Sequence, residues 1–177
     1  MIKQIRYFAL ALLSLTLVFG CSSDLEDYAE AQPQFNLFEY FHGQSTAWGM
    51  VQDFTTMQTR RFEVAIVGRV EGNTLTLVED FVFDDGEKSQ RIWTIERLGS
   101  GYYQGRADDI IGIAKGKEVG NALQWQYDFE LKMEDSTLVV TFDDWLYRQD
   151  AQHVFNVTKI RKFGFEVGRI TLFFQKQ

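Results

Sequence analysis

The sequence is poor in the residues from which many sites are built. Its 177 residues include one cysteine, Cys21, which excludes a disulfide framework, a paired-cysteine redox site and a thiolate zinc site. The two histidines, His42 and His153, stand apart with no serine or metal-type motif around them, so neither a histidine metal centre nor imidazole catalysis is expected. A single proline, Pro33, and 14 glycines rule out collagen and proline-rich low complexity. Eighteen basic residues against 25 acidic give a net charge of −7, and a nucleic acid, whose phosphates need a basic face, is not an expected partner. There is no Gly-x-Ser-x-Gly elbow, Walker loop or dinucleotide glycine fingerprint. No cofactor is expected. What the chain does have is 45% hydrophobic and 15% aromatic content, including 16 Phe, enough for one domain with a sizeable core.

Residues 1–20 have the order of a secretory signal: Lys3 and Arg6, an apolar run over 7–19 broken only by Ser14 and Thr16, then Gly20. The run is shorter than the ~20 residues a spanning helix needs, and no later stretch approaches that length. Leu17-Val18-Phe19-Gly20-Cys21 resembles the lipobox of bacterial lipoproteins, although Phe19 is bulkier than the usual residue there. That resemblance implies cleavage before Cys21 and acylation of its sulfur. One acyl chain binds a membrane only reversibly, whereas two or three hold essentially permanently. Ser22 in place of Asp implies, on the same resemblance, the periplasmic face of the outer membrane. The competing reading is an ordinary signal followed by an incidental cysteine. Residues 21–34, polar and acidic, read as a flexible tether carrying the lipid.

A single domain is expected over 35–177. Asn36 can cap a short helix, with Glu39 three residues on as in a capping box and Gly43 at its end, burying Leu37, Phe38 and Phe41. From Ser45 the period changes to two. Trp125, Tyr127, Phe129 and Leu131 alternate with Gln124, Gln126, Asp128 and Glu130, a half-buried strand. Phe62, Val64 and Ile66 share one face, and Leu75, Leu77, Phe81 and Phe83 another. Further strands are expected at 45–54, 90–97, 101–107, 111–117, 138–147, 153–162 and 165–175. Turn residues such as Glu71-Gly72-Asn73, Asp84-Asp85-Gly86, Gly120-Asn121 and Phe163-Gly164 separate them. Connections this short cannot hold the crossovers that parallel strands need. The expected fold is therefore all-β: an antiparallel meander of about nine or ten strands, closed into a barrel so that no edge is left open. A two-sheet sandwich is the alternative.

Several stretches resemble the bacterial lipoprotein family known as domain of unknown function 3833. They are Ala47-Trp48-Gly49-Met50-Val51-Gln52-Asp53, Arg60-Arg61-Phe62, Asp84-Asp85-Gly86-Glu87 and Arg91-Ile92-Trp93. Further on come Tyr103-Gln104-Gly105-Arg106-Ala107-Asp108-Asp109, Gly120-Asn121-Ala122-Leu123-Gln124-Trp125, Phe142-Asp143-Asp144-Trp145 and Lys162-Phe163-Gly164. The resemblance implies a lipid-anchored envelope protein and carries no activity, cofactor or catalytic residue with it. Phe41, Gly43 and Trp48 also follow the order of helical turn, glycine and first-strand tryptophan found in lipocalin-like barrels. Their spacing is wider, so the likeness is architectural only.

Charged residues fall on otherwise apolar faces: Glu79 with Leu77 and Phe81, Arg91 with Trp93 and Ile95, Asp144 with Val140, Phe142 and Leu146. A buried unpaired charge costs several kcal/mol, so these should pair or touch water. In one reading Glu79, Arg91, Trp93, Trp125 and Asp144 form a polar and aromatic patch that fixes the head group of an apolar ligand. In the other they are structural, as ion pairs, bulges and core aromatics. Asp84-Asp85, Asp108-Asp109 and Asp143-Asp144 are paired carboxylates, but neighbours on a strand point to opposite faces and do not converge on a metal. Asn156-Val157-Thr158 matches a glycosylation acceptor by chance. The expected function is non-enzymatic: an anchored envelope lipoprotein whose barrel binds a lipid or other apolar molecule. The alternatives are a structural accessory with an envelope protein partner, and a hydrolase or isomerase using carboxylates from different strands that meet in one pocket.

Overall fold

A computed structural model describes residues 24–54, 56, 57, 59–132 and 137–177. Ten strands follow in order: β1 (Gly43–Asp53), β2 (Thr59–Glu71), β3 (Thr74–Phe83), β4 (Lys88–Gly99), β5 (Tyr102–Arg106), β6 (Ile110–Val119), β7 (Ala122–Lys132), β8 (Thr137–Arg148), β9 (His153–Lys162) and β10 (Phe165–Lys176). Each pairs antiparallel with its sequence neighbour. β10 then returns to β1, from Ser45 opposite Lys176 to Asp53 opposite Gly168, and closes the barrel. The alternation that marks the strands in the sequence is the alternation of the wall. In β2, Phe62, Val64 and Ile66 point inward and are buried, while Glu63, Ala65 and Val67 between them are exposed.

One end is closed by α1 (Leu37–Phe41), which Asn36 caps by accepting from the Glu39 amide at 3.1 Å. Leu37, Phe38, Tyr40 and Phe41 are all buried, one more than the expected three. Five residues are too few to hold a helix in water, so its stability comes from what it touches. Glu118 of β6 accepts from the Leu37 amide at 3.1 Å. The Lys176 ammonium, at the end of β10, donates to the carbonyls of Glu39, Tyr40 and His42 at 2.6, 2.9 and 2.9 Å. The Phe41 carbonyl lies so close to β2 that a Cβ at Gly68 would sit 1.7 Å from it, which requires glycine there.

The segment ahead of α1 differs from the expected tether. From Asp24 onward it lies against the outside of the barrel. A 3-10 turn over Leu25–Tyr28 buries Leu25 on Ala122 and Trp145, with Tyr28 packed beside Tyr147 at a ring distance of 5.4 Å. The outward face of Trp145 gives this segment an apolar seat, and the Phe35 amide donates to the Gly120 carbonyl at 2.6 Å. Cys21 and the expected signal lie outside the described residues.

Candidate functional site

Inward residues of the barrel enclose a cavity of about 1220 Å³. Its floor is α1, through Leu37 and Phe41, and it extends to Asp85 and Glu87 at the opposite strand ends, both solvent-exposed, where it opens. Ten strands give a wider barrel than the eight that side chains alone can fill. The aromatic residues therefore form walls around open space. Trp93 meets Trp125 edge-on at 5.7 Å and Tyr127 at 5.2 Å, and Phe142 lies against Tyr127 at 5.2 Å and Phe129 at 5.1 Å. Trp125 lies flat along its neighbours because they lack side chains: a Cβ at Gly116 would fall 2.2 Å from its ring, and one at Gly105 2.6 Å.

A polar band crosses this aromatic interior. Antiparallel register sets Glu79 of β3 opposite Arg91 of β4, and Asp144 of β8 between Trp125 of β7 and Thr158 of β9. Arg91 does not pair with its cross-strand partner. It reaches Asp109, in the turn between β5 and β6, through Nε at 2.8 Å and a terminal nitrogen at 2.7 Å, and it lies over the Phe129 ring at 5.2 Å. The Thr158 hydroxyl donates to Asp144 and also contacts the Asn156 amide oxygen at 3.2 Å. Trp93 donates to Glu79. Glu79 and Asp144 enter none of the ion pairs formed among the described residues.

The electrostatics follow from enclosure. Burial pushes the Glu79 carboxyl up to about 7, with Arg91 opposing and Asp109 and Asp144 adding to the rise. Burial likewise pushes Asp144 up to about 7 against the hydrogen bond from Thr158 and the charge of Arg91. Burial works against the Arg91 charge, but the carboxyl groups of Glu79 and Asp109 around it hold the guanidinium more firmly charged than usual. Burial, reinforced by Asp144, drives the Tyr127 phenol well above its ordinary range, so it stays a neutral donor. Near neutrality the band contains one fixed cation, one carboxylate paired to it, and two carboxyls poised between acid and anion.

Glu79, Arg91, Trp93, Trp125 and Asp144, singled out from the sequence, all line this one cavity. Tyr127, Asn156 and Thr158 also line it, Asp109 reaches Arg91 from the exposed β5–β6 turn, and these four were not singled out as one site. Asn156 and Thr158 alternate with Val154 and Ile160 on the inner face of β9, a period-two signal that a glycosylation pattern obscures. Asp109 sits in a turn, where periodicity gives no direction. The other aspartate pairs behave as strand geometry requires. Asp143 points outward to Gln124, Gln126 and Arg161 while Asp144 points in, and Asp84 and Asp85 pair with Arg61 and Arg60. His153 contacts Asp150 at 2.9 Å on the outer rim. Among the described residues, no three His, Cys, Asp or Glu side chains converge as a metal ion would need, and no helix is long and apolar enough to cross a membrane.

Residues 15–176 match the model of a family described as protein of unknown function (DUF3833), and the chain belongs to that family. No curated protein matches the sequence.

Proposed function

We propose that this DUF3833 protein is an envelope lipoprotein, held to its membrane through acyl chains on Cys21, whose barrel binds a single apolar or amphiphilic molecule. The observation that carries the reading is the cavity of about 1220 Å³, apolar over most of its wall and crossed by one narrow polar band. Ligand sites have this composition: apolar surface supplies affinity and a few placed polar groups fix orientation. Each methylene taken from water contributes about 0.8 kcal/mol, so a long chain along the aromatic wall outweighs the cost of ordering it. A solid-cored accessory protein would have no use for this volume.

The reading is tested on the full-length protein, extracted from its own membrane into a non-ionic amphipol and analysed by native mass spectrometry. A bound mass of lipid size, removed by organic extraction, is expected. Titrating an apolar probe back should change tryptophan fluorescence saturably, and Trp93→Phe with Trp125→Phe should abolish that change, because Trp48 and Trp145 face outward. Empty protein together with no saturable response overturns the reading. A second reading has one specific observation behind it: Glu79 and Asp144 come from different strands and face the same cavity, as a carboxylate hydrolase or isomerase would require. Turnover of a bound amphiphile that disappears in both Glu79→Gln and Asp144→Asn would favour that reading.

A further inference from the structure

The cavity is more acidic than its two arginines, Arg60 and Arg91, suggest. Arg91 is matched at 2.7 Å by Asp109, an exposed residue of the β5–β6 turn. Glu79 and Asp144 then remain, both facing the open space and neither in a direct ion pair, with the charge of Arg91 only partly offsetting their burial. At the mouth, Arg60 is already shared between the lining carboxylates Asp85 and Glu87 at 2.7 and 2.8 Å. A carboxylate or phosphate head group entering this space would meet the carboxyls of Glu79 and Asp144 and find the Arg91 guanidinium already engaged. A cation would meet the opposite: two carboxyls able to ionise and, beside them, the faces of Trp93, Trp125 and Tyr127.

Resting on the proposed ligand binding, we infer that the ligand's head group is a protonated amine, held between Glu79 and Asp144 with its alkyl chain along the aromatic wall. Enclosure keeps both carboxyls part-protonated in the empty barrel, where burial pushes each up to about 7. An incoming ammonium stabilises the ionised form, so uptake of the amine releases protons. The other charged or titratable groups facing the band are Arg91 on β4, Asp109 in the β5–β6 turn and Tyr127 on β7. Arg91 stays a cation and Tyr127 a neutral phenol through this range, so Glu79 and Asp144 set the pH dependence.

The test compares three ligands of one chain length, dodecylamine, dodecanol and dodecanoate, below their micelle concentrations, on the full-length protein in non-ionic amphipol at pH 7.5. Tryptophan fluorescence is the readout. The amine should bind at least tenfold tighter than the carboxylate, with the alcohol between them. In the Glu79→Gln, Asp144→Asn double variant the advantage should collapse, while dodecanol affinity stays within about threefold. In the unaltered protein, amine affinity should rise from pH 5 to pH 8 and alcohol affinity stay flat, a readout that does not depend on the variant folding. Dodecanoate binding as tightly as the amine, or an amine preference that survives the double variant or shows no rise with pH, overturns the inference and leaves ligand binding standing. Failure of all three to bind removes the ligand-binding reading itself.

Discussion

Glu79 and Asp144 bear the electrostatic cost of the cavity, and that cost is measurable in the absence of any ligand. Folded, each carboxyl keeps its proton up to about pH 7, whereas in the unfolded chain it lets go near pH 4. Between those limits the folded state binds more protons, so stability should fall as pH rises from about 4 to about 7. Glu79→Gln and Asp144→Asn, which cannot ionise, should each flatten that slope and raise stability at pH 8 by about 1–3 kcal/mol, read from urea midpoints. Identical slopes in the parent and both variants would contradict the assignment. The faces of these residues were legible because a strand repeats every two residues: Glu79 between Leu77 and Phe81, or Asp144 between Phe142 and Leu146, has one direction to point. Their partners were not legible. The observed register sets Glu79 opposite Arg91, but Asp109 approaches from a turn and takes the guanidinium instead. A loop carboxylate that folds back over a strand leaves no periodic trace.

At the level of elements, α1 shows how a segment with little stability of its own becomes a floor. Its N-terminal amides are met by Asn36 and Glu118, and its C-terminal carbonyls by Lys176. Burial pulls the Lys176 ammonium below its ordinary range, and three carbonyl acceptors compensate for the lost water. Lys176→Met preserves the stem and removes all three bonds; it should cost about 1–3 kcal/mol in a urea titration and loosen the floor, exposing Tyr40 and Phe41 to amide exchange and quenching. An unchanged midpoint would show that packing alone holds α1. Gly116 is the matching device in the wall. A valine there has no room beside the Trp125 ring, so Gly116→Val should displace the indole, shift its emission and cost about 1–3 kcal/mol. The helix cap, the succession of strands and their antiparallel order could be read from capping residues, alternation and short turns, while several strands run two or more residues beyond the expected bounds. The docking of Leu25 and Tyr28 on the outer wall could not. Their seat is the outward Trp145, more than a hundred positions away, and a polar, acidic stretch with two apolar residues has the composition of a tether until that surface exists.

For the whole molecule, the cavity gives the barrel two unlike ends. The α1 end is sealed. The mouth carries the β9–β10 turn, where Phe163 and Phe165 are 88% and 76% exposed, and Phe163 holds φ at 50°, a conformation for which asparagine or glycine is better suited. Apart from the Lys162 ammonium 4.7 Å from its ring centre, this large apolar side chain stands in solvent in an unfavourable backbone conformation, which is hard to explain by stability. It is what a surface needs in order to enter the apolar margin of a bilayer. The chain path agrees. Asp24 lies on the outer wall beside Gln126 and Asp143, partway from the sealed end to the mouth, and the three residues back to Cys21 span at most about 10 Å. Under the proposed acylation of Cys21, the mouth would meet the membrane and take the ligand from it. Phe163→Ser with Phe165→Ser should slow transfer of a fluorescent dodecylamine from phospholipid vesicles to the protein severalfold. Affinity for the same ligand presented free in solution, and the urea midpoint, should move little, since exposed side chains contribute only about 0.5 kcal/mol either way. If transfer from vesicles is as fast in the variant as in the parent, the phenyl rings do not mediate entry, and the mouth does not work at the membrane surface.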